Sequence, residues 1–134
     1  MKSSRRIVFL GMHGRYSYIP FKMMLEAGVD IVGVITPRPT ADSNGPVRHP
    51  YFPPPAEKLI LDNTGIKPTL GSEAGRHGIP LIGVGNLHDP RSLAMLKELA
   101  PDLIITACFS RILPDSWLAI PKQGCLNLHP SMLP

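Results

Sequence analysis

Ile7-Val8-Phe9-Leu10-Gly11, Phe21-Lys22-Met23-Met24-Leu25-Glu26-Ala27-Gly28 and Ile31-Val32-Gly33-Val34-Ile35-Thr36 follow one another as three segments with two different periods. The first is an unbroken apolar run closed by glycine, the pattern of a strand covered on both faces. In the second, Phe21, Met24 and Leu25 recur at i, i+3 and i+4 and a glycine ends the run, which predicts a helix. The third is rich in β-branched residues and predicts another strand. Together they form a strand–helix–strand unit of the length that a parallel, right-handed crossover needs.

Outward from this unit, residues 11–17 read as a glycine-bearing turn. From 37 to 68 the periodicity dissolves into Pro-Arg-Pro, Ser-Asn-Gly-Pro and Pro53-Pro54-Pro55, a surface excursion long enough to be either functional or mobile. Residues 57–61 could supply one helical turn within it. Residues 72–78 predict a short helix ending at Gly78, and Ile79-Pro80-Leu81-Ile82 a proline-marked strand at the margin of a sheet. Asp89 is placed to N-cap a helix with Pro90 at its first position, Leu93, Leu96, Leu99 and Ala100 forming the buried stripe and Pro101 ending it. A third buried strand is expected over 102–109, then a corner at 110–114, a short helix over 115–120 and a closing strand.

Strands alternating with helices indicate an α/β fold: a Rossmann-like open, mainly parallel sheet with helices on both faces. Ligands in such sheets bind beyond the carboxyl ends of the strands, where strand order reverses. The corners at 11–15, 109–113 and 127–133 should therefore face one crevice.

A chain of 134 residues fits one domain, and its 16 prolines, over twice the usual share, fall mostly in the excursion and the corners. The net charge of +4 is compatible with phosphorylated or nucleic-acid partners, but the basic residues are scattered and only Arg5 and Arg6 are adjacent. Cys108 and Cys125 sit in apolar runs as small core residues, so a reduced, cytoplasmic setting is expected. No run approaches the roughly 20 apolar residues of a membrane span, and residues 7–10 are too short for a signal peptide. His49, His77 and His88 are isolated, and without Cys-x-x-Cys or His-x-x-x-His spacing no metal is expected.

The closing stretch, Gly124-Cys125-Leu126-Asn127-Leu128-His129-Pro130-Ser131-Met132-Leu133-Pro134, is a strand running into a corner. Asn127 and His129 point to one face and Leu126 and Leu128 to the other, until Pro130 stops the ladder. A carboxamide N–H can hold an oxygen that gains charge during attack on a carbonyl, and an imidazole can move the proton, so the pair suits acyl or formyl transfer. From spacing alone, a turn-closing Asn127 and a structural His129 are an equal alternative.

Asn-Leu-His-Pro-Ser-Met-Leu-Pro at 127–134 resembles the Asn-x-His-x-Ser-Leu-Leu-Pro signature of the folate-dependent formyltransferases. Residues 101–105, Arg111-Ile112-Leu113-Pro114, the opening 6–11, Leu25-Glu26-Ala27-Gly28 and His77-Gly78-Ile79-Pro80 are similar to the methionyl-tRNA branch of that family, in the same order. The resemblance implies transfer of a formyl group from 10-formyltetrahydrofolate to a primary amine, carried by initiator tRNA or a sugar nucleotide. Asn127 would hold the carbonyl oxygen and His129 would act as general acid. Phe109, Ser110, Arg111, Ile112 and Leu113 would form the corner that cradles the pterin, and Gly11, His13, Gly14, Arg15 and Ser131 would receive the acceptor.

Two departures accompany the resemblance. The family's third catalytic residue, an aspartate, lies beyond the Ser-x-x-Pro loop, and neither Asp102 nor Asp115 matches its position. The first loop reads Gly11-Met12-His13-Gly14-Arg15-Tyr16 where the methionyl-tRNA branch has Gly-Thr-Pro-x-Phe-Ala. His13 and Arg15 there could favour a phosphate-bearing acceptor, although an ordinary strand-to-helix turn is the simpler reading. Residues 1–134 are thus expected to be the N-terminal, folate-binding domain of a formyltransferase, with a sheet incomplete at its C-terminal end and an apolar edge that favours self-association. The alternatives are a truncated formyltransferase that is inactive as it stands, a non-catalytic folate-binding or partner-docking module, and an unrelated nucleotide-binding domain.

Overall fold

The computed structural model describes residues 4–39, 45–49 and 68–129. Its elements run β1 (Ile7–Gly11), α1 (Arg15–Glu26), β2 (Ile31–Pro37), β3 (Val47–Arg48), α2 (Leu70–Arg76), β4 (Leu81–Val84), α3 (Pro90–Leu99), β5 (Leu103–Ala107), α4 (Asp115–Leu118) and β6 (Cys125–Leu128). The strands form one sheet in the order β3-β4-β2-β1-β5-β6, parallel except for β3. The expected α/β architecture is therefore present.

Strand order reverses at β1. The chain moves outward from β1 to β2 and β4 through α1 and α2, then crosses back through α3 to β5 and on through α4 to β6. A constant crossover hand then puts the two helix pairs on opposite faces. The buried residues divide accordingly. Val8, Leu10, Ile35, Ile82 and Ile104 pack with Met95, Leu96, Leu99 and Trp117 of α3 and α4. Ile7, Phe9, Ile31, Val34 and Ile105 pack with Phe21 of α1 and with Leu70 and Ala74 of α2. Alternation along β1 feeds both cores, which is why its sequence reads as continuously apolar.

Several expected boundaries move. α1 begins at Arg15, not Phe21, and carries Pro20 inside it. The Ser17 hydroxyl holds this first turn down: it donates to the Ala107 carbonyl (2.6 Å) and accepts from the Met12 N–H (2.8 Å). That tertiary tie outweighs the preference of proline for a helix start. α2 begins at Leu70 because Thr69 and Ser72 form a reciprocal cap that a search for Glu or Gln three residues on does not detect. β4 runs over 81–84 and is one strand in from the margin, since β3, formed inside the proline-rich excursion, pairs along its outer side. β5 stops at Ala107 because Cys108 adopts φ 54°. The helical turn expected over 57–61 lies outside the described residues.

α3 begins as expected, with the Asp89 carboxylate accepting from the Arg91 N–H at 2.8 Å and Pro90 in its first turn. Its buried face differs: Ser92 and Met95 join Leu96 and Leu99, Leu93 is half-buried, and Ala100 is exposed with φ 47°. Ala100 has left the helix as its left-handed C-cap, so the helical period no longer applies to it. The last turn is closed from outside, where Arg6 Nη2 donates to the Leu99 carbonyl at 2.8 Å.

Candidate active site

The carboxyl ends of β5 and β6 bound the site. β6 pairs with β5 so that Thr106 opposes Asn127 and Ala107 opposes Leu128. Cys125 packs beside Ile104 in the α3/α4 core, so by strand parity Thr106 and Asn127 project on that same face. The Thr106 hydroxyl donates to Asn127 Oδ1 at 2.8 Å. With its oxygen held, Asn127 presents its two amide protons outward. Leu126 and Leu128 take the opposite face, as parity requires, but are 55% and 44% exposed and do not join the core.

A cavity of about 700 Å³ opens beside this pair. Asn127 and His129 line it together with Phe109, Ser110, Arg111, Ile112 and Leu113 of the corner, and Leu118 of α4 contributes further apolar surface. Ile112 is 94% exposed, an unusual state for an isoleucine and one that leaves its side chain available to a ligand. The Arg111 guanidinium is engaged with protein backbone, donating to the carbonyls of Val84, Gly85 and Arg38. No carboxylate lines this cavity among the described residues.

The expectation of one crevice holds in part. Arg15 and Tyr16 meet Leu128 and His129 around a smaller space of about 230 Å³, and Cys108 borders both this space and the larger cavity. His13 instead joins Arg15, Tyr18 and Thr69 around a separate cavity of about 540 Å³. Gly11 lines none of them. It is buried, and a Cβ there would lie 2.8 Å from the Ser17 Cβ, so its side is closed by α1 itself. Gly14 is exposed, and its carbonyl accepts from the N–H groups of Ser17 and Tyr18 at the start of α1. Ser131 lies outside the described residues.

Two residues in the arrangement carry no signal in a reading by motif. Thr106 orients Asn127, and the one clue is a hydroxyl in the otherwise apolar run Leu-Ile-Ile-Thr-Ala. Ser17 ties the first loop to the end of β5. Burial pushes the Cys125 thiol up from its ordinary pKa, which keeps it protonated and unreactive near neutrality.

Asp102 belongs elsewhere. Its carboxylate accepts from the Arg6 N–H at 2.8 Å and pairs with Lys122 at 3.3 Å, and these contacts lower its pKa, the backbone hydrogen bond first. It stands at the start of β5, roughly 16 Å along the strand from the end where His129 lies.

Methionyl-tRNA formyltransferases are similar along 96% of this chain: that of Dehalococcoides mccartyi (strain CBDB1) is 36% identical over 129 residues, and those of Geotalea uraniireducens and Bacillus subtilis are each 34% identical over 129 residues. The matched region is 36%, 36% and 35% of those proteins, so the chain spans about a third of their length. The family model described as Formyl transferase matches residues 6–134, and the chain belongs to that family.

Proposed function

We propose that this protein transfers a formyl group from 10-formyltetrahydrofolate to a primary amine, and that the amine is the one carried by methionyl-tRNA. The observation that carries the reading is the Thr106–Asn127 pair beside His129 on the wall of the 700 Å³ cavity. A cavity of that size is in the range used for drug-sized ligands, and a flat heterocycle fits a wall of Phe109, Ile112 and Leu113 edged by backbone donors and acceptors. The formyl donor supplies an activated carbonyl carbon. Asn127 holds the carbonyl oxygen through its amide protons as that oxygen takes on charge. His129 carries the proton that the attacking amine loses and passes it to the nitrogen from which the formyl carbon departs.

The acceptor enters between β6 and α1, where Arg15 and Tyr16 stand next to His129. The names of the relatives favour a tRNA acceptor over a sugar nucleotide. Among the described residues β6 is the last strand of the sheet, and self-association along it, where Leu126 and Leu128 are exposed, belongs to the same reading.

The test is formyl transfer by the protein expressed from its natural gene, with initiator methionyl-tRNA and an amino-sugar nucleotide as competing acceptors. Formylated methionyl-tRNA is expected, and His129→Ala should reduce turnover about 10²- to 10⁴-fold with folate binding retained. Turnover preserved in His129→Ala would overturn the role of His129, and no transfer to any amine would overturn the reading.

A further inference from the structure

The corner at 109–113 combines two opposite situations. Ser110 and Ile112 are exposed, while Arg111 between them is half-buried and sends its side chain across the top of the sheet. Its Nη1 donates to the carbonyls of Val84 (3.3 Å) and Gly85, and its Nη2 to that of Arg38. Val84 ends β4 and Arg38 directly follows β2, and the Arg38 N–H donates to the Val84 carbonyl at 2.9 Å. The guanidinium therefore supplies donors to carbonyls at the exits of two strands, from a loop that begins after a third. A planar fork is suited to several carbonyls at fixed angles, and a lysine ammonium is not.

We propose that Arg111 is a positioning residue: its guanidinium straps the 109–113 corner to the exits of β2 and β4, and so holds in place the backbone groups that form one wall of the large cavity. The side chain does not bind the formyl donor's carboxylates. Its effect on ligand binding runs through the loop, and this part rests on the proposed function, which makes the cavity the donor pocket. The strap also joins the cavity wall to the start of the excursion at 37–68, because Arg38 is one of its acceptors.

Arg111→Lys and Arg111→Met, made in the protein expressed from its natural gene, test the strap by three readouts. Amide hydrogen exchange without ligand should quicken about tenfold or more at 109–113 in both variants, with the β1 and β5 amides unchanged. 5-Formyltetrahydrofolate and a pterin fragment lacking the glutamate tail should both bind more weakly, by the same factor. The KM for the formyl donor should rise by that factor while kcat stays within about threefold of wild type. Unchanged exchange at 109–113 would overturn the strap. Weakening confined to the tailed folate, or full rescue by lysine, would overturn it in favour of direct contact with a carboxylate. If wild type binds neither compound, the donor pocket is refuted, and the exchange measurement alone decides the strap.

Discussion

Thr106→Val isolates the geometric assumption on which the site depends. Valine keeps the volume and the branch at Cβ, so the packing of β5 is little disturbed, and the change removes one hydrogen bond, from the Thr106 hydroxyl to Asn127 Oδ1 at 2.8 Å. A neutral bond of this kind contributes about 0.5–1.5 kcal/mol net. Without it the Asn127 carboxamide can turn, and the fraction that presents its amide protons to the cavity falls by a corresponding factor of about 2–10. Asn127→Ala removes the donor entirely, for which losses of about 10²–10³ in kcat are usual. If Thr106 acts only through Asn127, Thr106→Val in the Asn127→Ala background should cost nothing further. The assay is kcat and KM for formyl transfer in all four forms of this cycle, with denaturant unfolding to exclude a stability effect. Additive losses would refute the reasoning, because they would mean that Thr106 contributes by a route that does not pass through Asn127.

Three further outcomes follow from the structure. Trp117→Phe should lower stability by about 2–3 kcal/mol, seen as a lower denaturant midpoint at unchanged slope, because the buried indole N–H donates to the Leu87 carbonyl at 2.8 Å and the variant leaves that carbonyl without its donor. Gly11→Ala should cost about 1–3 kcal/mol, since its Cβ would lie 2.8 Å from the Ser17 Cβ, whereas Gly14→Ala, with open space around it and φ −77°, should stay within about 1 kcal/mol; equal costs at the two sites would contradict the close approach of α1. Asp102 has its folded pKa lowered, so its stabilising contribution is present above the unfolded value of about 4 and is lost as pH falls through the folded value. The melting-temperature gap between wild type and Asp102→Asn should therefore narrow as pH is taken from 7 towards 3, and a gap that does not change with pH would show that the carboxylate charge contributes nothing.

Some of this protein is legible residue by residue. Local apolar runs and turn residues mark β1, α1, β2, α3 and β5, because each is long enough for its own period to be counted. The Asp89-Pro90 start of α3 is visible because an N-cap and a first-turn proline act within their own few residues. The parity that sends Asn127 to one face and Leu126 and Leu128 to the other is likewise local, and so is the motif that indicates the family. The boundaries that move are those set by contacts distant in sequence. Pro20 lies inside α1 because Ser17 is tied to Ala107, and β3 exists only because β4 offers its outer side as a template.

The alternation of strands and helices, the parity of the closing strand and the family signature are written along the chain, since periodicity, backbone restriction and residue chemistry are properties of neighbouring residues. Long-range packing is what makes β1 the switch point, lets Thr106 hold Asn127 by its oxygen, and brings the Arg111 guanidinium to backbone carbonyls at the exits of β2 and β4. A hydroxyl or a guanidinium has the same sequence signature whether it meets a ligand or a carbonyl. Which partner it finds depends on where the sheet brings the strand ends together.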